Sequence, residues 1–311
     1  MSFTLAHLSD LHLPDMPLVW PWQLFNKRIL GFQSWHLNRR RQHRMEVLTA
    51  GLERLAALKP DHIALTGDIV NIALPAEFER SVPLLQEFAQ IAPISVIPGN
   101  HDAYIAGVEA HWALWRRWLG PTDQQDLFPY VKELGPVRLI GLSSAIPAGW
   151  GKAWGAVGRA QLDRLAALLA MPFAGWSVLL VHHPVFDGAS KPRKALLDRH
   201  DLQALLSERP VDLILSGHEH KDQVGELPTK ADPVLALTVP SASLLHDEPV
   251  RMGGFNLVRF PAPGDRPGVK AVELEHWRYQ LAAGSVECRT RYRMELTSPG
   301  WQQHPLDVGT V

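Results

Sequence analysis

The chain has 311 residues, of which 46% are hydrophobic and 20% are charged, and its formal net charge is −1. This composition predicts a globular protein with a large core, and the near-zero charge gives no overall field that would favour nucleic acid as a partner. The single cysteine, Cys288, excludes an intrachain disulfide and is compatible with a reducing compartment. The N-terminus lacks the pattern of a signal peptide, and no apolar run approaches the roughly 18 residues of a membrane span, so we expect a cytoplasmic protein.

Strand-like apolar runs alternate with helix-like patterns along the chain. In order, strands are predicted at 3–8, 62–66, 94–97, 137–142, 177–181, 212–216, 234–239 and 254–260. Helices are predicted at 43–58, 77–91, 106–118, 158–170 and 198–207. This alternation indicates an α/β fold, in which ligands bind beyond the carboxyl ends of the strands.

A proline- and glycine-rich stretch, PAPGDRPG at 261–268, divides a main domain at 1–260 from an extension at 261–311. Within the extension, 269–279 and 286–296 alternate polar and apolar residues and are predicted to be strands. We expect them to form a hairpin at an edge of the main sheets, the alternative being a small separate module. The last dozen residues, which contain Pro299, Gly300, Pro305 and Gly309, are predicted to form an irregular tail.

Five short stretches carry potential metal ligands, and each stands directly after, or at the end of, a predicted strand. They supply Asp10 and His12 in SDLH, Asp68 in TGDIVN, Asn100, His101 and Asp102 in PGNHD, His182 and His183 in VHHP, and His218 and His220 in SGHEH. Residues two apart in an extended segment share a face, so Asp10 and His12 can hold one ion together, as can His218 and His220. A glycine beside a ligand in three of the stretches permits tight turns there.

The ligand types narrow the choice of metal. Carboxylate, carboxamide and imidazole groups without a thiolate suit manganese, iron, zinc or cobalt rather than a structural zinc site. The ligands are too many for one tetrahedral ion and suit two ions that share a bridge. A single Asp or His at a strand end is more often a turn or capping residue, but five such stretches in order favour a metal site.

In this order the motifs resemble the calcineurin-like metallophosphoesterase superfamily, whose pattern is DxH, GD, GNH(D/E), H and GHxH, over roughly residues 3–260. The resemblance implies two packed mixed β-sheets flanked by helices, with a dinuclear metal centre at the strand carboxyl ends. It also implies roles for individual residues: Asp10, His12 and His220 hold the first metal, Asp68 bridges, Asn100, His182 and His218 hold the second metal, and His101 faces the substrate. Within VHHP the family ligand is His182, although spacing alone does not separate it from His183. Asp102 joins His101 in the predicted catalytic group as a candidate orienting partner.

The implied activity is hydrolysis of a phosphate ester by metal-activated hydroxide, with His101 donating a hydrogen bond or proton toward the leaving group. PGNHD followed by HHP looks most like cyclic-nucleotide and glycerophosphodiester phosphodiesterases, so a phosphodiester is the predicted substrate. The alternative is a lipid-linked pyrophosphate or another phosphoester at a membrane. A metal-free binding scaffold of the same fold is the non-enzyme alternative, but such a chain is expected to have lost ligands, and none is missing here.

Residues 18–44, which we call the cap, lie in a stretch without acidic residues between Asp15 and Glu46. The cap contains six lysines and arginines interleaved with large apolar residues. The basic residues are Lys27, Arg28, Arg39, Arg40, Arg41 and Arg44, and the apolar ones include Trp20, Trp22, Phe25, Ile29, Leu30, Phe32 and Trp35. Such a segment can bind an anionic substrate, lie at the inner face of a membrane, or stack on bases, the last being least favoured. The alternative is a solvated basic face whose aromatic residues pack on the protein. Arg39 and Arg40 are therefore candidate substrate-binding residues.

Tryptophans form two further groups. Trp112, Trp115 and Trp118 recur every three residues, a spacing that predicts a buried stripe. Trp150 and Trp154 lie in the glycine-rich loop AGWGKAWGAVG, which the family resemblance places near the substrate pocket. These two are candidate walls of that pocket.

Overall fold

The computed structural model of the protein describes residues 2–120, 127–262, 270–298 and 300–308. A first sheet contains β1 (Phe3–Leu8), β2 (His62–Leu65), β3 (Ile94–Val96), β10 (Gly254–Phe260), β11 (Ala271–Gln280), β12 (Ser285–Leu296) and β13 (Trp301–Leu306). A second sheet contains β4 (Tyr130–Leu134), β5 (Val137–Gly141), β6 (Trp176–Leu180), β7 (Leu213–Ser216), β8 (Gln223–Leu227) and β9 (Val234–Thr238). The strand orders are β13-β12-β11-β10-β1-β2-β3 and β4-β5-β6-β7-β9-β8, and each sheet mixes parallel and antiparallel pairs.

The helices are α1 (Arg28–Ser34), α2 (Arg40–Gln42), α3 (Met45–Leu58), α4 (Pro75–Ile91), α5 (Arg159–Leu169) and α6 (Arg199–Glu208). Short 3₁₀ helices span Pro21–Leu24, Glu109–Trp118 and Pro192–Lys194, and a π-helical turn spans Trp35–Arg39 between α1 and α2. Among the described helices, none is both long and apolar enough to cross a membrane.

The two sheets pack face to face, and β6 shows how the sequence achieves this. Val178 and Leu180 belong to the core that the two sheets share, whereas the intervening Leu179 faces a second core beneath α5 and α6. All three side chains are fully buried, since this strand is covered on both faces. The predicted α/β fold with two mixed sheets and flanking helices is confirmed.

Parallel pairing aligns the strand ends that carry the motifs. Leu8, Leu65 and Val96 are successive partners across β1, β2 and β3. Leu180 and Leu215 are partners across β6 and β7. The five ligand-bearing loops therefore leave the two sheets at one common edge.

The loop after β2 is braced by the buried side chain of Glu77, in the first turn of α4. Its carboxylate accepts hydrogen bonds from the backbone N–H groups of Asn71, Ile72 and Leu74, at 2.8 to 3.1 Å. Burial raises the pKa of Glu77, and the three donors oppose that shift. This brace fixes the backbone just beyond the second motif.

The structure departs from the predicted elements at the sheet edges. Strands β4 and β8 were not predicted, because their half-exposed residues interrupt the apolar pattern. The predicted irregular tail is wrong for Trp301–Leu306, which pairs with β12. Trp301 is buried and donates its indole N–H to the carbonyl of Pro233, which fixes the start of that strand.

The remaining predictions for the C-terminal half can be located in the structure. The strands predicted at 269–279 and 286–296 correspond to β11 and β12, which pair antiparallel, with β11 beside β10. Most of the predicted loop at 261–268 lies outside the described residues, as do Pro299 and Gly309 of the tail. The helix predicted at 106–118 is a 3₁₀ helix from Glu109, and its Trp112, Trp115 and Trp118 are buried as expected.

Candidate metal centre

Five of the predicted metal ligands adopt left-handed backbone conformations. Their φ angles are 55° for Asp10, 40° for His12, 55° for Asp68, 71° for His218 and 50° for His220. Positive φ is uncommon for residues other than glycine, and a cluster of such residues is typical of functional sites. The expectation that Asp10 and His12, and likewise His218 and His220, share a face of an extended segment is therefore wrong in its local geometry.

Backbone hydrogen bonds hold the first ligand loop against the second. The N–H of Asp10 donates to the carbonyl of Gly67 at 2.8 Å, and the N–H of His12 donates to the carbonyl of Asp68 at 3.0 Å. These bonds convert the left-handed turns into a fixed arrangement in which the side chains of both loops converge.

The first group of converging ligand atoms comes from Asp10, His12 and His220. His220 Nε2 lies 3.0 Å from Asp10 Oδ1 and 3.2 Å from His12 Nε2. Asp10 Oδ1 is buried, and within the described part of the chain none of its close contacts has the geometry of a hydrogen bond. A buried carboxylate oxygen facing two imidazole nitrogens fits a bound cation.

The second group contains Asn100, His182 and His218. His182 Nε2 lies 3.3 Å from Asn100 Oδ1 and 3.3 Å from His218 Nδ1. Asp68 stands between the two groups, because its Oδ2 is 3.4 Å from His182 Nε2 and 3.7 Å from His12 Nε2. The geometry brings together all seven residues predicted to be metal ligands.

Hydrogen bonds on the far side of the imidazole rings select which nitrogen faces the centre. His182 Nδ1 donates to the carbonyl of Thr66 at 2.7 Å, and His218 Nε2 donates to the carbonyl of Lys194 at 3.0 Å. Each ring therefore directs its other nitrogen, the one that can bind a metal, toward the centre, as metal-binding histidines do. By contrast, both ring nitrogens of His183 are engaged, Nδ1 with Ser144 Oγ at 2.7 Å and Nε2 with the Ala153 carbonyl at 3.3 Å, which distinguishes it from His182.

The buried charges also favour cations. Burial by itself would raise the pKa of the Asp68 carboxyl, but the imidazoles of His182 and His101 outweigh burial and lower that pKa. Burial lowers the pKa of His182, but the facing Asp68 carboxylate outweighs it and raises that pKa to about 9. A metal ion would replace this proton as the partner of Asp68, so metal binding and proton release are linked.

His101 lies at the mouth of the centre, in a pair with Arg39 of the cap. Its backbone N–H donates to Asp68 Oδ1 at 2.7 Å, and its ring Nδ1 donates to the carbonyl of Asn71. Arg39 Nη2 lies 3.0 Å from His101 Nε2 and must be the donor, because a guanidinium cannot accept. Burial and then the charge of Arg39 lower the pKa of His101 to about 3, so the imidazole is neutral.

The structure separates the other candidate residues. Asp102 is fully buried and does not face the centre, since its carboxylate accepts the backbone N–H groups of Gly99, Val70 and Ile69 at 2.8, 3.0 and 3.3 Å. It therefore positions the second and third ligand loops rather than the His101 ring. Arg40 is exposed on the cap.

The tryptophan loop contacts the cap. Lys27 Nζ donates to the carbonyl of Lys152 at 3.2 Å, and Lys152 stands between Trp150 and Trp154 in the sequence of this loop. Trp150 is 63% exposed, whereas Trp154 is partly buried. The Ala153 carbonyl that binds His183 ties the same loop to the fourth ligand stretch.

One residue near the centre was not among the predicted ligands. His43, at the end of the cap, is buried, and one of its ring nitrogens lies within 4.8 Å of ligand nitrogens of His12 and His220. It belongs to none of the five motifs, so only the position of the cap directly after the DxH stretch pointed toward it.

Comparison with known proteins agrees with this geometry. The model of the calcineurin-like phosphoesterase family matches residues 3–222. A cAMP/cGMP dual specificity phosphodiesterase from Mycobacterium tuberculosis is 31% identical over 225 residues, 70% of this chain and 62% of that protein. A probable cyclic nucleotide phosphodiesterase from Rhodococcus erythropolis is 29% identical over 52% of each chain. This chain thus spans about half to two thirds of the length of these two relatives.

A glycerophosphodiester phosphodiesterase from Enterobacter lignolyticus is 26% identical over 78% of this chain and 80% of its own. Among solved structures, a dimetal phosphatase from Danio rerio superposes with a TM-score of 0.62 at 14% identity, covering 88% of this chain and 95% of that one. At that identity the likeness concerns the fold. The family match covers more than half of the chain and confirms the resemblance drawn from the five motifs: the protein belongs to the calcineurin-like phosphoesterase family.

Proposed function

We propose that this protein is a metal-dependent hydrolase of phosphate esters that acts on phosphodiesters. The observation that carries the proposal is the pair of ligand groups on either side of Asp68. Asp10, His12 and His220 would hold one ion, Asp68 would bridge, and Asn100, His182 and His218 would hold the other. Two ions held in this way would supply a water of lowered pKa and positive charge for the phosphate oxygens. Manganese, iron, zinc and cobalt all suit this set of ligands.

The chain's own residues orient the substrate at the mouth of the centre. Without substrate, Arg39 donates to the neutral Nε2 of His101. A phosphate oxygen is a stronger acceptor for a guanidinium than a neutral imidazole is, so an incoming phosphate would take over that donor. This exchange would set the Arg39 guanidinium on the substrate and free Nε2 of His101, which would then take up a proton from solvent and donate it toward the leaving group. Asp102 would keep both ligand loops in register through its three backbone bonds.

The diester preference is supported by the names of the relatives, which are cyclic-nucleotide and glycerophosphodiester phosphodiesterases. We would test it with manganese-loaded protein on bis(p-nitrophenyl) phosphate, p-nitrophenyl phosphate, cyclic AMP, glycerophosphodiesters and a UDP-linked lipid. We expect diesters to be hydrolysed fastest and a chelator to abolish turnover. Faster hydrolysis of the monoester would refute the diester preference, and undiminished turnover after metal removal would refute the metal mechanism.

Two variants separate the roles of the residues. Asp68→Ala should remove both ions, because the bridging carboxylate serves both, whereas His101→Ala should keep both ions and lose turnover. The loss expected for one transition-state donor is about 2–4 kcal/mol in activation free energy. Metal content and turnover are measured for both variants. Loss of the metal ions from His101→Ala would contradict its substrate-facing role.

A second candidate function follows from the outer face of the cap. The exposed fractions of its side chains reach 85% for Phe25, 74% for Leu18, 70% for Leu37 and 61% for Trp22. Trp20, itself half exposed, stacks on Trp22 with ring centroids 5.0 Å apart. Large exposed apolar side chains concentrated in one segment in this way are typical of an interaction site rather than of a solvated face.

The charge of the cap indicates which partner that surface would take. Arg40 and Arg41 of the same segment are exposed, and residues 16–45 contain no acidic side chain. Trp and Phe next to basic residues suit an anionic bilayer surface, at which an amphiphilic phosphate ester would be presented to the centre. The reading of the cap as a basic face with packed aromatics fits less well, because the aromatic residues Trp20, Trp22 and Phe25 are exposed.

Liposome binding tests this second function. Trp20→Ala/Trp22→Ala/Phe25→Ala should lose binding to phosphatidylglycerol vesicles, while Leu281→Ala, which removes another exposed apolar side chain, should not. Arg40→Gln/Arg41→Gln should weaken binding by about 1 kcal/mol per charge removed. Binding of the wild type to single-stranded nucleic acid but not to vesicles, or to neither, would refute the membrane surface.

A further inference from the structure

The end of the cap is fastened directly above the first ligand group. His43 pairs with Leu244 in an isolated antiparallel bridge, and its N–H donates to the carbonyl of Arg39 at 2.7 Å. The next residue, Arg44, donates its N–H to the carbonyl of Ser243 at 2.8 Å. His43 is only 3% exposed, so its backbone and its ring are both held in place.

Two serine hydroxyls orient the His43 ring. Its Nδ1 lies 2.8 Å from Ser243 Oγ and 3.3 Å from Ser241 Oγ, and Ser241 Oγ in turn donates to the carbonyl of Asp10 at 2.6 Å. These contacts occupy Nδ1. In the parts of the chain that the structure describes, no group hydrogen bonds to Nε2. Ligand histidines commonly show this arrangement, with one nitrogen held by an outer partner and the other free.

The His43 ring lies beside the first ligand group. The His43 ring centroid lies 4.7 Å from that of His12 and 5.8 Å from that of His220. One nitrogen from each of the three rings lies within 4.8 Å of the others, a spacing that one ion can span. The five motifs contain His12 and His220 but not His43.

Building on the proposed dinuclear centre, we propose that His43 is an additional nitrogen ligand of the first metal position. That position would then have three imidazoles together with Asp10 and the bridging Asp68, five protein ligands in all. The second position would have four: Asp68, Asn100, His182 and His218. Nitrogen-rich sites favour zinc, cobalt and iron over magnesium and manganese, so the two positions would differ in both affinity and metal preference.

This ligand also makes the cap part of the metal site. His43 ends the segment that contains Arg39, so an ion held by His43 would fix the guanidinium over the centre as well. Occupancy of the first position would thereby order the residues that receive the phosphate, before any substrate binds.

Zinc affinity tests the inference without recourse to activity. The full-length protein is stripped of metal and titrated with zinc against a chromophoric chelator, and cobalt is used separately for its visible absorption. His43→Ala should lower the affinity for one of the two zinc ions about 100-fold and leave the affinity for the other within about threefold of the wild-type value. The cobalt bands should shift as one nitrogen ligand is lost. His36→Ala, which removes an exposed histidine of the same cap, is the matched control and should match the wild type.

Two further variants keep the test decisive. His43→Gln is used if the alanine variant folds poorly, because glutamine is close to histidine in size and can still hydrogen bond to Ser243. Its zinc affinity should fall by the same factor as that of His43→Ala. Ser243→Ala should weaken the same ion about 10-fold, because the ring is then less firmly oriented. If both His43 variants bind two zinc ions as the wild type does, His43 is not a ligand, although the proposed function stands. If the wild type itself binds fewer than two ions, both proposals fall.

Discussion

A single methyl group added at Gly99 should disturb both metal positions. An ideal Cβ on Gly99 would lie 2.6 Å from the backbone nitrogen of Asp68 and 2.8 Å from His182 Cε1, and closer still to Asp68 Oδ1. Ordinary van der Waals contact begins at 3.4 Å, so these atoms must move by about 1 Å to admit Ala. The atoms that must move belong to Asp68, the proposed bridge, and to His182, a proposed ligand of the second position.

The displacement sets the size of the expected effect. A shift of about 1 Å at a reacting centre costs on the order of 100-fold in rate. Disturbing the orientation of a metal ligand costs about 10–100-fold in metal affinity. Overpacking of a filled site costs about 1–3 kcal/mol in the free energy of unfolding. Because Asp68 lies between the two ligand groups, we expect Gly99→Ala to weaken the binding of both ions.

Metal analysis after dialysis against a weak chelator, together with urea unfolding, measures these effects. Gly51→Ala is the matched control, because a Cβ on that residue of α3 meets nothing within 4 Å. It should retain both ions and gain about 0.5–1 kcal/mol in stability, since alanine is the better helix former. A Gly99→Ala protein with two ions at wild-type affinity would refute the placement of Asp68 between the two groups.

Three further changes probe the framework of the site. Glu77→Ala leaves three buried backbone N–H groups without their acceptor. It should therefore lower the free energy of unfolding, measured in urea, by about 3 kcal/mol or more. The control Glu79→Ala, which changes an exposed residue of the same helix, should lower it by less than about 0.5 kcal/mol. Asp102→Asn replaces one accepting oxygen by a donor, so chelator competition should show metal affinity lowered about 10–100-fold; unchanged affinity would contradict its positioning role. Burial lowers the pKa of His62 from 6.5 to about 3, so the unfolded chain binds the extra proton and stability falls as pH drops below about 6.5. Between pH 7.5 and pH 5.5, the free energy of unfolding of His62→Gln should fall by about 1 kcal/mol less than that of the wild type. Equal decreases in the two proteins would show that His62 does not sense pH.

The sequence was sufficient to predict which side chains meet, but not how the backbone brings them together. Parallel strands such as β1 and β2 end at one edge of a sheet, so ligands that follow them converge whatever the loops do. The left-handed turns at Asp10 and Asp68 were not predictable, because aspartate is enriched at positive φ and yet adopts it in only a small minority of cases. Those turns are stabilised by bonds between the loops, such as that from Asp10 to Gly67, and no local pattern encodes such bonds.

Long-range partners also explain the elements that were missed. The strand Trp301–Leu306 has a polar sequence containing a proline, which argues against a central strand. It forms because Trp301 is anchored by Glu226 and Pro233, residues about 70 positions earlier in the chain. Similarly, His182 and His183 are indistinguishable in sequence, and only the outer partners of each ring separate them.

The cap reverses the usual polarity of a surface helix, and this reversal links its two proposed roles. In a soluble protein the apolar stripe of a helix faces the core and its charges face water. Between residues 28 and 39, however, Arg28 is buried against the carbonyls of Ile72 and Ala73, while Leu37 is 70% exposed. Arg39, in a π-helical turn of the kind often found at functional sites, also points inward, to His101.

Each half of this arrangement is unfavourable by itself. Burying a guanidinium costs free energy unless acceptors or anions face it, and exposing large apolar side chains costs free energy unless something covers them. Inside, backbone carbonyls meet Arg28, and an anionic phosphate above the metal ions would meet Arg39. Outside, the apolar residues would be covered by the membrane from which an amphiphilic substrate comes. A cap that served only a small soluble diester would need the inner face alone, so the exposed apolar face favours a substrate that arrives at a lipid surface.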